Sequence, residues 1–142
     1  MKTGKVKFRA WHKKLKIMCG VVAINFYCGN VVLLAIGEEQ QKLFKKMNAE
    51  VFIESDNRLS VSMEDVELMQ YTNLNDVSSI EIYRNDILED EYGDLYKIEF
   101  EICKFVANRL DGKGGNFICP QMRWWKIKGN IYQNSDLLKE VK

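Results

Sequence analysis

Between Leu95 and Ile102 the chain alternates with period two. Tyr96, Ile98, Phe100 and Ile102 fall on one side, Lys97, Glu99 and Glu101 on the other. Successive side chains of a strand point to opposite faces, so this pattern predicts a strand with one buried and one wet face. Phe105 and Ala107 begin or continue the same strand after a bulge near Lys104. Lys5 to Trp11 repeats the pattern, with Lys5, Lys7, Arg9 and Trp11 set against Val6, Phe8 and Ala10. It predicts a first strand whose wet face carries Arg9 and Trp11. Lys13-Lys14 then connects to a second strand near Leu15 to Phe26. Cys28-Gly29-Asn30 supplies turn chemistry before a β-branched strand over Val31 to Ile36.

Glu38 to Asn48 changes period. It holds strong helix formers, acids at its front and Lys45-Lys46 near its end, which suits a helix dipole. Leu43, Phe44 and Met47 give it a narrow apolar stripe for packing on a sheet. Val51–Glu54 and Leu59–Met63 flank Ser55-Asp56-Asn57-Arg58 as a hairpin, and Glu64-Asp65 leads into a strand over Leu68 to Thr72. Glu91-Tyr92-Gly93-Asp94 is a turn. Asp111 to Asn116 is a glycine-rich loop. Phe117–Cys119 and Met122–Ile127 are short strands, and Ser135 caps a terminal helix carrying Leu137, Leu138 and Val141. The fold class is mainly β, in two parts: residues 1–66, β-rich with one helix, and residues 67–142, β-rich with a short C-terminal helix.

Composition narrows the function classes. The 142 residues are 46% hydrophobic, enough for a core, and 29% charged with a net charge of +1. That balance argues against a general nucleic-acid glove, though a local basic patch fits within it. No run reaches the roughly 18 apolar residues of a membrane span. The basic N-terminus lacks the small-residue cleavage pattern of a signal peptide, so a cytoplasmic protein without membrane partners is expected. Cys19, Cys28, Cys103 and Cys119 form no Cys-x-x-Cys pair, and His12 is the single histidine. The expectation is no metal, no cofactor, and reduced, mostly buried thiols.

No nucleophile motif surrounds Ser60, Ser62, Ser78 or Ser79. Glycines 112, 114 and 115 lack the P-loop spacing, and the acids Glu89, Asp90, Glu91 and Asp94 lack that of an EF-hand. His12 reads as a surface or interface residue, and Asp86 as a structural acceptor of backbone N–H groups. No catalytic residue is assigned. The pairing of arginine with tryptophan is more suggestive. Arg9 and Trp11 share a strand face, and Arg123-Trp124-Trp125-Lys126 repeats the character. An arginine beside an aromatic can stack on a planar ligand and bind a phosphate or carboxylate. The tryptophans also suit a core or a subunit interface. Adjacent Trp124 and Trp125 in a strand face opposite sides. Arg9, Trp11, Arg84 and Trp124 are the candidate ligand-binding residues.

Three passages resemble the YopX family of phage and prophage proteins. They are Lys7-Phe8-Arg9-Ala10-Trp11; Met69-Gln70-Tyr71-Thr72 through Glu81-Ile82-Tyr83-Arg84-Asn85-Asp86-Ile87; and Gly129-Asn130-Ile131-Tyr132-Gln133-Asn134. Asn73 stands where the family pattern has glycine, and Arg84-Asn85-Asp86 where Glu-Gly-Asp is usual. Asparagine tolerates positive φ, so both turns are expected to persist. Cys19 to Glu64 matches no part of that pattern. The resemblance implies an SH3-like β-barrel over 67–142, phage origin and homo-oligomers, and brings no catalytic residues. The resulting expectation is a non-catalytic accessory protein in the host cytoplasm. It would bind a nucleotide-like small molecule or a host protein, with host defence as one possible target. The alternative is a nucleic-acid-binding module, less favoured at this net charge.

Overall fold

The computed structural model describes residues 4–47, 57–113, 116–118 and 123–139. It is mainly β, with antiparallel sheets and two short helices. Lys7–Leu68 forms one compact unit, and Met1–Val6 with Met69–Lys142 forms the other.

In the first unit β1 (Phe8–His12), β2 (Ile17–Asn25), β3 (Asn30–Leu34) and β4 (Arg58–Ser62) pair in the order β4-β3-β2-β1. β5 (Val66–Asn75) starts in this unit and continues into the other. Alternation decides the core: Ala10, Cys19, Val31, Leu33, Leu59 and Val66 turn inward, and α1 (Gly37–Met47) adds Phe44. Phe44 is fully buried, which stabilises the unit by about 2 kcal/mol. Gln40 fastens the helix at both ends of its amide: Oε1 accepts from Ile36 N at 2.8 Å, and Nε2 donates to Met18 O at 3.0 Å. Met47, expected in the packing stripe, is 41% exposed.

Two expectations for the first strand need correction. β1 begins at Phe8, and Val6 is 83% exposed. His12 is buried rather than on the surface, because it extends the inward set of Ala10 by one period. Its Nδ1 accepts from Leu15 N at 3.1 Å, closing the Lys13–Lys16 turn. The first arm of the expected hairpin, Val51–Glu54, lies outside the described residues. β4, its second arm, pairs with β3 through Leu33 and Leu59.

In the second unit β5 pairs with β6 (Glu81–Tyr83). β7 (Asp86–Glu89), β8 (Leu95–Glu101), β9 (Lys104–Arg109), β10 (Asn116–Ile118) and β11 (Lys126–Asn130) form a sheet ordered β10-β9-β8-β7-β11. α2 (Asp136–Lys139) follows, next to the expected cap at Ser135. Ile82, Leu88, Tyr96, Ile98, Ala107 and Trp125 make the core, with Tyr96 stacked on Trp125 at 4.3 Å between centroids.

The period-two run of β8 ends earlier than its sequence suggests. Tyr96 and Ile98 are buried, whereas Phe100 is 47% and Ile102 91% exposed. The chain reverses at Ile102-Cys103, both at positive φ (47° and 64°), so Lys104 opens a new strand that carries Phe105, and there is no bulge at Lys104. Phe100 pairs across the hairpin with Phe105, their rings 5.0 Å apart. Asparagine takes the left-handed backbone at two of the expected corners: Asn73, inside β5, has φ 67°, and Asn85, in the β6–β7 turn, has φ 71°.

Candidate functional site

Arg9 and Trp11 lie two residues apart on β1, on the face opposite inward Ala10 and His12. Both are half-buried. Register places Arg9 beside Gly20, Gly20 beside Leu34, and Leu34 beside Arg58. One row thus crosses four strands with an arginine at each end and a glycine floor within it. Trp11 sits beside Met18 in the next row. Arginine and tryptophan on one face beside this row suit a planar ligand bearing anionic groups.

Arg84 and Trp124 belong to the other unit. Arg84 is exposed in the two-residue turn between β6 and β7, a turn fixed from several sides. Its N donates to Gln70 O at 3.0 Å, Asn85 N donates to Ile98 O at 2.8 Å, and Asn85 Nδ2 donates to Tyr132 Oη at 3.1 Å. Asp86, only 1% exposed, accepts from Tyr83 N at 2.8 Å, the structural role expected of it. Trp124 precedes β11. Because Asp86 pairs with Asn130 and Glu89 with Lys126, Arg84 and Trp124 stand at opposite ends of the β7–β11 ladder.

Residues 121 and 122 lie outside the described residues, and Arg123-Trp124 form a short 3₁₀ turn where a strand was expected. The two tryptophans still part company. Trp125 is 7% exposed in the core, and Trp124 is 65% exposed with the Arg123 guanidinium 5.1 Å from its ring centroid. Lys126 and Lys128 follow, both exposed.

Several polar groups are committed to structure. Asp76, 5% exposed, accepts from Ser78 N (2.8 Å) and Ile80 N (2.9 Å) through Oδ1 and from Ile127 N (3.0 Å) through Oδ2. Its sequence signal was an Asx turn in Asp76-Val77-Ser78. Asp90 closes the acidic turn in the same way, accepting from Tyr92 N, Asp94 N and Tyr96 Oη, each at 2.9 Å. Burial, with that bond, pushes the Tyr96 phenol up to about 12. Arg109 beside Asp111 holds its carboxyl down at about 2. Burial lowers the His12 imidazole from 6.5 and raises the Cys19 thiol to about 11. Cys28 and Cys103, expected to be buried, are exposed at hairpin turns, and Cys119 lies outside the described residues. Among the described residues no three His, Cys, Asp or Glu side chains group as metal ligands, and no helix is long and apolar enough to cross a membrane.

A family model described as "YopX protein" matches residues 7–139. Among solved structures, protein EF1440 from Enterococcus faecalis aligns over 96% of this chain and 99% of its own, at 18% identity and a TM-score of 0.61. Protein yopX from Bacillus subtilis aligns over 95% and 98%, at 14% identity and a TM-score of 0.55. These likenesses establish a shared fold. No curated protein matches the sequence.

Proposed function

Because the chain belongs to the YopX family, we propose that it is a non-catalytic phage or prophage accessory protein that binds a host component in the host cytoplasm. The ligand is a nucleotide-like small molecule or a host protein carrying comparable anionic and aromatic groups, and antagonism of host defence is the role in view. The observation that carries this reading is Trp124, a large indole held 65% exposed under a guanidinium while its neighbour fills the core. Such a residue contributes little to folding and suits recognition. Arg9 and Trp11 offer a second surface of the same chemistry, and Arg84 a further exposed cation. The five-stranded antiparallel order of the second unit is compatible with an SH3-like barrel, which is the architecture we propose for it. Exposed Phe26, Tyr27, Phe100 and Ile102 support assembly into homo-oligomers.

Light scattering should give a mass above 16.6 kDa at micromolar concentration; a lone 16.6 kDa species refutes the oligomer. Calorimetry against nucleoside phosphates, with native mass spectrometry of protein isolated from its host, should reveal a bound partner. Arg9→Ala or Trp124→Ala should weaken it, Arg9→Ala by about 1.5–3 kcal/mol, the range for a charge-assisted hydrogen bond. Loss of affinity that only tracks loss of folding would refute the site. Turnover of a nucleotide would refute the non-catalytic reading.

A further inference from the structure

We propose that the outer side of β11 and the turn before it bind single-stranded nucleic acid, a reading that rests on Trp124 being a ligand residue. β11 is the last strand of its sheet. Ile127 packs toward the core and Asn130 is buried, while Lys126 and Lys128 stand exposed. Arg123 and Trp124 extend the exposed series N-terminally. The register shifts between Ile127 and Gly129, so Lys128 falls in a bulge, a feature that re-aims a side chain. Three cations and one exposed aromatic thus fall within six consecutive positions.

The arrangement of these groups selects the ligand class. A single nucleotide can stack on Trp124, but the line of cations beyond the ring extends further than one nucleotide reaches. Here the cations follow one another along the last strand of the sheet, Lys126 and Lys128 two residues apart. A polymer with a repeating negative charge engages such a line, while its bases stack on an exposed ring without regard to sequence. Glu89, beside Lys126 in register and 3.7 Å from Lys128, is one carboxylate against three cations. The platform is also held in place. Val77 N donates to Trp125 O at 2.9 Å, Ile127 N donates to Asp76 at 3.0 Å, and Trp125 is stacked on Tyr96. Little ordering remains to be done on binding. With a net charge of +1 the attraction comes from this stripe rather than the whole surface, so binding is local and sensitive to salt.

The test is fluorescence anisotropy of labelled dT12 and U12 with the full chain at 50 and 200 mM salt. Both oligomers should bind, more tightly at low salt. Trp124→Ala should weaken binding about tenfold, within what one stacked base contributes, and Trp124→Phe should restore part of it. Lys126→Ala with Lys128→Ala should flatten the salt dependence by about 0.7 log units per lysine. Lys42→Ala, on exposed α1, should change nothing. No binding of either oligomer at 50 mM salt overturns the proposal, as does binding that both β11 variants leave intact. Nucleoside phosphates that bind through Trp124 while oligomers do not would overturn it too, but would leave the broader ligand-site reading standing. Lysines on an edge strand can also serve to block strand addition. In that case the double variant would gain mass with affinity unchanged, which again overturns the proposal.

Discussion

Replacing Asp76 by alanine removes one carboxylate that three backbone amides share. The three bonds are not equivalent. Ser78 and Ile80 lie in an exposed loop, where water can replace the lost acceptor. Ile127 N sits in β11, and its donor bond joins that strand to the β5–β6 loop. A hydrogen bond to a charged group contributes about 1.5–3 kcal/mol, and a buried donor left unsatisfied costs about 1–3 kcal/mol. With the two loop amides rescued by water, Asp76→Ala should destabilise the protein by about 3 kcal/mol. For a chain of this size that is a fall in Tm of about 6–12 °C. Asp76→Asn keeps one carbonyl oxygen and should lose about half as much. Urea unfolding gives the total, and amide exchange gives its location. Ile127 N–H should lose protection in Asp76→Ala, while the amides of β8 keep theirs. A loss below about 1 kcal/mol, the value of one ordinary neutral bond, would refute the assignment of Asp76 as the tie between loop and strand.

Further outcomes are expected. Burial depresses the His12 pKa below 6.5, with Lys14 in the same direction and Asp65 opposing, so protonation favours the unfolded chain. The stability tied to neutral His12 should be present above about pH 6.5 and lost as pH falls through the lower folded value, and an NMR titration of the imidazole checks this directly. At the β8–β9 turn, Ile102→Asn with Cys103→Gly should raise stability by about 1 kcal/mol, since Asn-Gly suits two successive positive φ values. Ile102 is 91% exposed, so little packing is lost, and an unchanged or lower melting point would count against strain at that turn.

The sequence exposed the β8 pattern as far as Ile98 but concealed its end. Ile102-Cys103 contains none of the residues that announce a turn, and the reversal is set by cross-strand pairs, Phe100 with Phe105 and Glu101 with Lys104. His12 was legible in principle. Its basic neighbours suggested surface, yet counting by two from Ala10 places it inside. The opposite fates of Trp124 and Trp125 were anticipated from strand geometry, although a 3₁₀ turn produces them. In the candidate site, the shared face of Arg9 and Trp11 followed from periodicity. The row from Arg9 to Arg58 depends on the register of four strands, which local sequence does not encode. The exposed thiols were missed because Cys28 and Cys103 have apolar neighbours that themselves lie at exposed turns.

The asparagines at the two left-handed corners do more than tolerate the backbone there. A glycine would adopt the same φ but offer no side chain. Asn85 reaches Tyr132, forty-seven positions along the chain, and Asn73 Oδ1 takes the Lys5 amide at 2.7 Å. Gly4 to Lys7 is exposed and belongs to no strand or helix. The corner at Asn73 therefore acts as a mooring for the N-terminal arm. Whether a protease can trim that arm is decided in part by one amide oxygen, which a glycine at this corner would not supply.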